Sequence, residues 1–328
     1  MPDFAIKGYE LLTAATRMDL VVHPGRWRVS DLYETVTDQE AAFAARREAL
    51  DWGRSEWPVL TVVVFRAHVR GSFDLSWQMA EALWGLILYT KPREWLGVYE
   101  AGAASARKGS VPLALPRMLL GQSSALQHAG RADEAIDLAE ESLGRARDLG
   151  HPLSEAAALA ALGGLYLRDQ QGKGSAAELF EAARDIHRSE GRPRGVALMT
   201  RYLGETALKL GRADEAADRF TEALGLFAAE GDDYNTARVK TLLGQMHLAG
   251  SRPDEARTLL GEALVVASGI GAVHQAATIR VGLADVCEAT GETAGAAEHL
   301  EAALSGLSEM GSAKADAVAA RLERLRAA

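Results

Sequence analysis

From Pro152 to Ser312 the sequence recurs with a spacing of 40 residues. Ala157, Ala197, Ala237 and Ala277 form one column; Gly164, Gly204 and Gly244 form another, with Ala284 as its fourth member. Ala176, Ala216, Ala256 and Ala296 follow, then Phe180, Phe220, Leu260 and Leu300, then Ala183, Ala223, Ala263 and Ala303, and last Gly191, Gly231, Gly271 and Gly311. A chain with this period builds one supersecondary unit several times over and buries the apolar face of each unit against its neighbours.

Each unit holds two helices. Ala216, Phe220 and Ala223 stand at i, i+4 and i+7, one face of a helix, while Ala197 and Gly204, seven apart, mark another. Small residues at Gly204 and Ala216 let two backbones approach closely, and Phe220 fills the space between that pair and the next. The turn inside the unit reads Gly211, Arg212, Ala213, Asp214, Glu215. That is a helix stop followed by acidic residues, which favour the positive end of the next helix dipole. Between units Gly191, Gly231 and Gly271 stop the second helix, and Pro193 restarts the chain where a missing N–H costs nothing.

Leu203 with Gly204, then Ala216, Phe220 and Ala223, resemble the tetratricopeptide repeat; so do Leu243 with Gly244, then Ala256, Leu260 and Ala263. The unit departs from the common length of about 34 residues and lacks the closing proline. Both helices are therefore expected to be about a turn longer, as in the long-repeat variety of bacterial signal-transduction ATPases. The resemblance implies an all-α fold, a right-handed superhelical solenoid of antiparallel helix pairs with an N-terminal helical cap. The expected organisation is an N-terminal helical region over 1–72, about six repeats over 73–312 with the regular period running from 152, and a capping helix over 313–328.

Ahead of the regular repeats the pattern is looser. A helix over Asp3–Leu20 is followed by a break at Pro24-Gly25 and an arm holding Arg26, Trp27 and Arg28, whose pairing the sequence leaves open. Asp38–Arg54 and Trp57–His68 read as two helices; Val62 to Phe65 could form a strand, but no second strand segment exists to pair with it. Leu75–Tyr89 reads as one amphipathic helix with a partner beginning at Pro92, and Pro112–Gly150 as a repeat lying 41 residues ahead of the next. Ala49, Leu50, Asp51, Trp52, Glu56 and Leu60, followed by Trp77, Ala80, Ala82, Leu83 and Trp84, resemble the region between ATPase module and repeats in bacterial antibiotic-regulatory transcription factors. Those are NB-ARC signal-transduction ATPases, and the resemblance implies that this chain is the sensor end of such a regulator. The alternative is a free-standing tetratricopeptide adaptor, or a receptor for a peptide or small effector.

Several chemistries find no support in the residues. A formal net charge of −9 with a pI near 5.5 argues against binding a phosphate backbone. The single cysteine, Cys287, excludes an internal disulfide or a multi-thiolate metal site, and is expected to be a buried apolar residue. Asp3, Lys7, Glu10 and Arg17 interrupt every apolar run of the N-terminus, and no stretch of about 18 apolar residues exists, so a cytoplasmic location away from membranes is expected. Gly172, Lys173, Gly174 and Ser175 come nearest to a phosphate-binding loop, but Leu167 occupies the upstream glycine position. The histidines show no i, i+4 pair, and His299 between Glu298 and Glu301 reads as part of a solvated face. Neither a cofactor nor an enzymatic activity is expected.

The resemblance to tetratricopeptide repeats implies a site in the concave groove, lined by the first helix of each repeat through positions two, five, nine and twelve of the unit. Those positions give Arg117 and Gln127, then Arg168, Arg201, Glu205, Arg238, Thr241, Gln245 and Asp285 among the polar groups. Arg201 and Arg238 in successive repeats resemble the carboxylate clamp of some tetratricopeptide domains, since guanidinium pairs capture carboxylates bidentately. The alternative is that Arg201 and Glu205, at i, i+4, pair with each other, worth about 0.2–0.5 kcal/mol on a helix face. Asp285 and Glu288 make the far end acidic, which would orient an extended protein or peptide ligand.

Overall fold

The computed structural model describes residues 2–36, 43–90, 92, 95–168, 173–309, 312 and 314–327. Its helices run α1 Pro2–Val22, α2 Leu32–Val36, α3 Arg46–Val69, α4 Phe73–Ala82, α5 Trp84–Thr90, α6 Trp95–Ala106, α7 Ala114–His128, α8 Ala132–Asp148 and α9 Pro152–Arg168. They continue with α10 Lys173–Ser189, α11 Pro193–Lys209, α12 Ala213–Ala229, α13 Asp233–Ala249, α14 Pro253–Gly269, α15 Val273–Ala289, α16 Thr293–Glu309 and α17 Lys314–Ala327. The all-α expectation holds among the described residues. The chain divides into two units, Met1–Leu88 with Glu94–Met199, and Tyr89–Arg93 with Thr200–Ala328.

In the second unit the seam between paired helices is made as the columns predict. Phe220 is fully buried and lies against Gly204, where an added Cβ would stand 2.6 Å from the ring. Leu260 covers Gly244 in the same way, and Leu300 shares a core cluster with Ala284, Ala296 and Ala303. Burying one such side chain contributes roughly 1.5–3 kcal/mol. The turns close by one device: Gly211 and Gly291 take φ of 75° and 78°, and the next residue's N–H returns to the carbonyl five back, Arg212 to Ala207 at 2.9 Å and Glu292 to Cys287 at 2.8 Å. Between α13 and α14 the same left-handed position falls on Ser251, with φ of 58°.

The first unit departs from the columns by one residue. Phe180 packs against Gly163, not Gly164, and Ala156 is fully buried where Ala157 is only partly so. Upstream, Ser123 takes the same place and donates to the carbonyl of Ala135 at 2.7 Å across the hairpin. The repeats are thus 40 residues apart from Ser123 to Gly163 and 41 from Gly163 to Gly204. The extra residue lies between α9 and α10, which are separated by four residues where the other repeat hairpins have three.

Three expected N-terminal elements are also redrawn. The segments over Asp38–Arg54 and Trp57–His68 are one helix, α3, from Arg46, with Pro58 inside it; residues 38–42 lie outside the described residues. Pro58 is exposed and has no N–H to give the carbonyl of Arg54, so this rung of the helix is missing. The single helix over Leu75–Tyr89 is two, α4 and α5, broken at Leu83. The break has a chemical cause. The N–H of Gly85 donates to Asp19 at 3.1 Å, and the carbonyl of Glu81, its i−4 partner in an unbroken helix, accepts from Arg26 at 2.7 Å.

That Asp19–Arg26 pair belongs to a buried network that resolves the arm left open by the sequence. Asp19 accepts from Arg26 Nε at 2.9 Å, Arg28 Nε at 2.8 Å and Tyr33 Oη at 3.0 Å. Glu81 accepts from the backbone N–H groups of Val29 and Ser30 at 2.9 and 3.0 Å, and its carboxylate lies 3.3 Å from Arg117. Burial alone would raise the Asp19 pKa, but the Arg26 and Arg28 charges and hydrogen bonds outweigh it and hold the carboxyl below its usual range.

Candidate ligand-binding site

The second unit gathers most of the sequence-predicted site residues. Arg201 is 1% exposed, lies 4.0 Å over the ring of Tyr202 and is ion-paired with Glu205 one turn on. Its Nε has no hydrogen-bond partner among the described residues. From α13, Arg238 Nη2 comes within 3.8 Å of the same Glu205 carboxylate, and its side chain is 38% exposed. Two guanidinium groups therefore converge on one carboxylate, leaving a local excess of positive charge whose accessible side is Arg238. The i, i+4 pairing of Arg201 with Glu205 is what the structure shows, so Arg201 positions Glu205 and is not itself open to a ligand.

Aromatic groups that the sequence reading missed complete the cluster. Tyr234 packs against Tyr89 with ring centroids 4.9 Å apart and planes tilted by 48°, and its carbonyl accepts from Gln275 Nε2 at 3.1 Å. Burial pushes the Tyr234 phenol up, against the pull of Arg238 and Arg201. For Tyr202 burial acts in the same direction, yet Arg201 and Arg238 prevail and lower its pKa. Burial works to lower the Arg238 pKa, but Glu205, Tyr202 and Tyr234 raise it, so Arg238 stays charged. Tyr234 stands four residues before Arg238 and was readable as its neighbour on one helix face; Tyr89, distant in sequence and with no repeat partner, was not.

Other predicted residues are engaged elsewhere. Thr241 is buried and donates to Ala237 within its own helix at 2.7 Å, while Gln245 is exposed. Asp285 lies 2.5 Å from Arg321 of α17, which also holds Glu288 at 2.9 Å, so the acidic end of the array is neutralised by the last helix. In the first unit Arg117 pairs with Glu81 and lies near the rings of Trp27 and Trp84, at 5.8 and 5.9 Å. Gln127 donates to Gly164 at 3.5 Å. Arg168 is exposed; with the register moved by one residue it matches Lys209, and Leu167 takes the position assigned to it. Among the described residues no group of three or more His, Cys, Asp or Glu could hold a metal ion, and no helix is long and apolar enough to cross a membrane.

A family model described as tetratricopeptide repeat matches residues 195–267, the run of regular seams from α11 into α14. The fold is a tetratricopeptide-like array of paired antiparallel helices behind an N-terminal helical cap. No curated protein matches the chain. Solved structures with this tetratricopeptide-like fold include a Rap protein complexed with Competence and Sporulation Factor, at 12% identity and a TM-score of 0.56 over 99% of this chain and 98% of that one. Aspartyl phosphate phosphatase F from Bacillus subtilis matches at 13% identity and a TM-score of 0.51, over 85% of this chain and 74% of that one. A signal transduction ATPase with numerous domains and a tetratricopeptide repeat sensor, from Pyrococcus horikoshii, matches at 11% identity and a TM-score of 0.52, over 84% of this chain and 46% of that one.

Proposed function

We propose that the chain is a non-catalytic tetratricopeptide scaffold, an adaptor or receptor that binds a protein, a peptide or a small effector through an anionic group. The observation that carries this reading is the convergence of Arg201 and Arg238 on the single carboxylate of Glu205, with Arg238 partly exposed. A partly exposed guanidinium held by one carboxylate can offer its remaining N–H groups to a carboxylate or phosphate. The likeness to a Rap protein solved with Competence and Sporulation Factor, over nearly the full length of both chains, supports a receptor role. Of the other predicted residues in the second unit, exposed Gln245 on the same helix as Arg238 is proposed as a secondary contact.

A second reading, the sensor part of an NB-ARC-type ATPase transcriptional regulator in the cytoplasm, is supported by the likeness to the Pyrococcus horikoshii ATPase, of which this chain spans less than half. The resemblance carried by Ala49 to Leu60 and Trp77 to Trp84 adds to it.

A pull-down from native cytoplasm, with the wild type beside Arg238→Ala, tests the site. Capture by the wild type and loss in the variant supports it. Undiminished capture by Arg238→Ala moves the binding surface away from this cluster, and a captured ATPase module would favour the sensor reading.

A further inference from the structure

The polar network of the first unit holds more positive charge than its own carboxylates balance. Asp19 and Glu81 face the guanidinium groups of Arg26, Arg28 and Arg117. Every carboxylate oxygen is already engaged. Asp19 Oδ1 accepts from Arg26 and the N–H of Gly85, and Oδ2 from Arg26, Arg28 and Tyr33. Glu81 Oε1 serves the N–H of Val29 and lies by Arg117 Nε, while Oε2 serves the N–H of Ser30. Arg28 spends its remaining N–H groups on the backbone carbonyls of Asp19, His23, Pro24 and Arg26. Two guanidinium edges are left over. Arg26 is 8% exposed, yet its buried Nη1 has no hydrogen-bond partner among the described residues. Arg117 meets Glu81 through Nε at 3.3 Å, which leaves both its Nη groups for another acceptor, and its side chain is 16% exposed. Burial, then the Arg26 charge, act to lower the Arg117 pKa and prevail over Glu81, Tyr99 and Asp19. Charge held away from water without a counter-charge is costly, and an anion would relieve it.

We propose that the missing anion is the carboxylate of a small aromatic acid, bound at Arg117 with its ring against the indoles of Trp27 and Trp84. The free Nη edge of a guanidinium matches a carboxylate with two parallel hydrogen bonds. The aromatic half of the ligand follows from the surroundings of that edge. The Arg117 guanidinium carbon lies 5.8 Å from the ring centroid of Trp27 and 5.9 Å from that of Trp84. Both indoles are half-buried, so each keeps apolar surface that a flat ligand can cover. Tyr99 packs edge-on behind Trp84, at 6.1 Å between centroids, and fixes the inner wall. Glu81 and Trp27 are set by the same network, through the arm that runs on to Val29 and Ser30, so the cation and its aromatic border are in place before a ligand arrives. This site belongs to the first unit and does not depend on the Arg238 cluster of the second.

Isothermal titration calorimetry of the full chain with benzoate tests the proposal. Benzoate is expected to bind with a Kd of about 1 mM or below, while benzamide, which lacks the charge, and acetate, which lacks the ring, should each bind about tenfold more weakly or worse. Arg117→Gln should weaken benzoate about tenfold or more, and Arg238→Ala, in the other unit, should leave it unchanged. Glu81 keeps the N–H groups of Val29 and Ser30 in the Arg117→Gln variant, so the variant should fold, which a melting curve checks. Trp27→Leu, at a half-buried position, leaves the charges in place and should also weaken benzoate; it decides the matter if Arg117→Gln does not fold. A wild type that does not take up benzoate, or that takes up benzamide or acetate equally well, overturns the proposal. So does undiminished binding by folded Arg117→Gln, or loss of binding in Arg238→Ala, which would assign the benzoate to the second unit.

Discussion

The guanidinium of Arg26 takes the carbonyl oxygen of Glu81 at 2.7 Å, in the place where a helical N–H would otherwise stand. Asp19, its ion-pair partner, takes the N–H that would have come from Gly85. One side-chain pair thus replaces one rung of the helix, and α4 ends where α5 begins. Asp19→Asn would leave Arg26 and Arg28 buried beside a neutral amide. We expect a loss of about 3–5 kcal/mol, the cost of breaking a buried pair, read as a lower urea midpoint. An unchanged midpoint would mean that the arm over 23–31 adds nothing to the stability of its unit.

The Gly204–Phe220 seam invites a double-mutant cycle. Gly204→Ala places a Cβ 2.6 Å from the ring and should cost roughly 1–3 kcal/mol by overpacking. Phe220→Ala should cost about 3–5 kcal/mol through the cavity left behind. The repeat formed by α15 and α16 already carries Ala284 and Leu300 at these places, so adding Phe220→Leu to Gly204→Ala should recover part of the first loss. Strict additivity of the two changes would show that the side chains do not meet.

Ser251 holds a left-handed conformation that glycine holds in the neighbouring repeats. Replacing it by glycine should stabilise the chain by about 1 kcal/mol, because an L side chain is strained there. Thermal melting would register the gain as a rise of a few degrees, and a fall would show that the Ser251 side chain has a role of its own.

The ring of His187 is wedged against Gly195, where a Cβ would lie 2.4 Å from it. Burial, then the Arg192 and Arg194 charges, push its pKa down from 6.5 to about 4. The native state therefore holds the neutral ring, and the unfolded chain binds a proton more readily. Stability from this source is full above pH 6.5 and falls as the pH drops toward 4, by about 1–2 kcal/mol after solvent screening of a half-buried ring. His187→Gln should flatten that part of the stability profile. An equal acid slope in wild type and variant would place the titration elsewhere.

Glu205 is the sole carboxylate between Arg201 and Arg238 among the described residues. Glu205→Ala should lower stability by about 3–5 kcal/mol, since it strands a guanidinium that is 1% exposed. Arg238→Ala, which removes the partly exposed member, should cost less than about 1 kcal/mol. Urea titrations of the two variants check the order; a larger loss for Arg238→Ala would reverse the assignment of inner and outer arginine.

The seams were legible because small-to-large contacts recur at fixed spacing, and Gly204, Phe220, Ala256 and Leu300 each carry the signal three or four times over. The one-residue slip was not. Gly163 and Gly164 are adjacent, and an insertion in a connection leaves no mark on the helices that follow. The Asp19 network was hidden for a different reason, because its members are separated by 7 and 55 residues and occur once. At the site, the Arg201–Glu205 pair was among the readings available from i, i+4 spacing, but that Arg201 is enclosed depends on Tyr202 and α13 and is a property of packing.

The Arg321 contact has a consequence for how the array is counted. Asp285 and Glu288 have Gln245 and Leu248 at the matching places one repeat earlier, and Glu205 and Leu208 two repeats earlier. The seams of these repeats are near copies and say nothing about ordinal position. Among the described residues, the repeat of α15 and α16 alone offers two carboxylates to one arginine, so α17 finds an address that the matching places of the two preceding repeats do not provide.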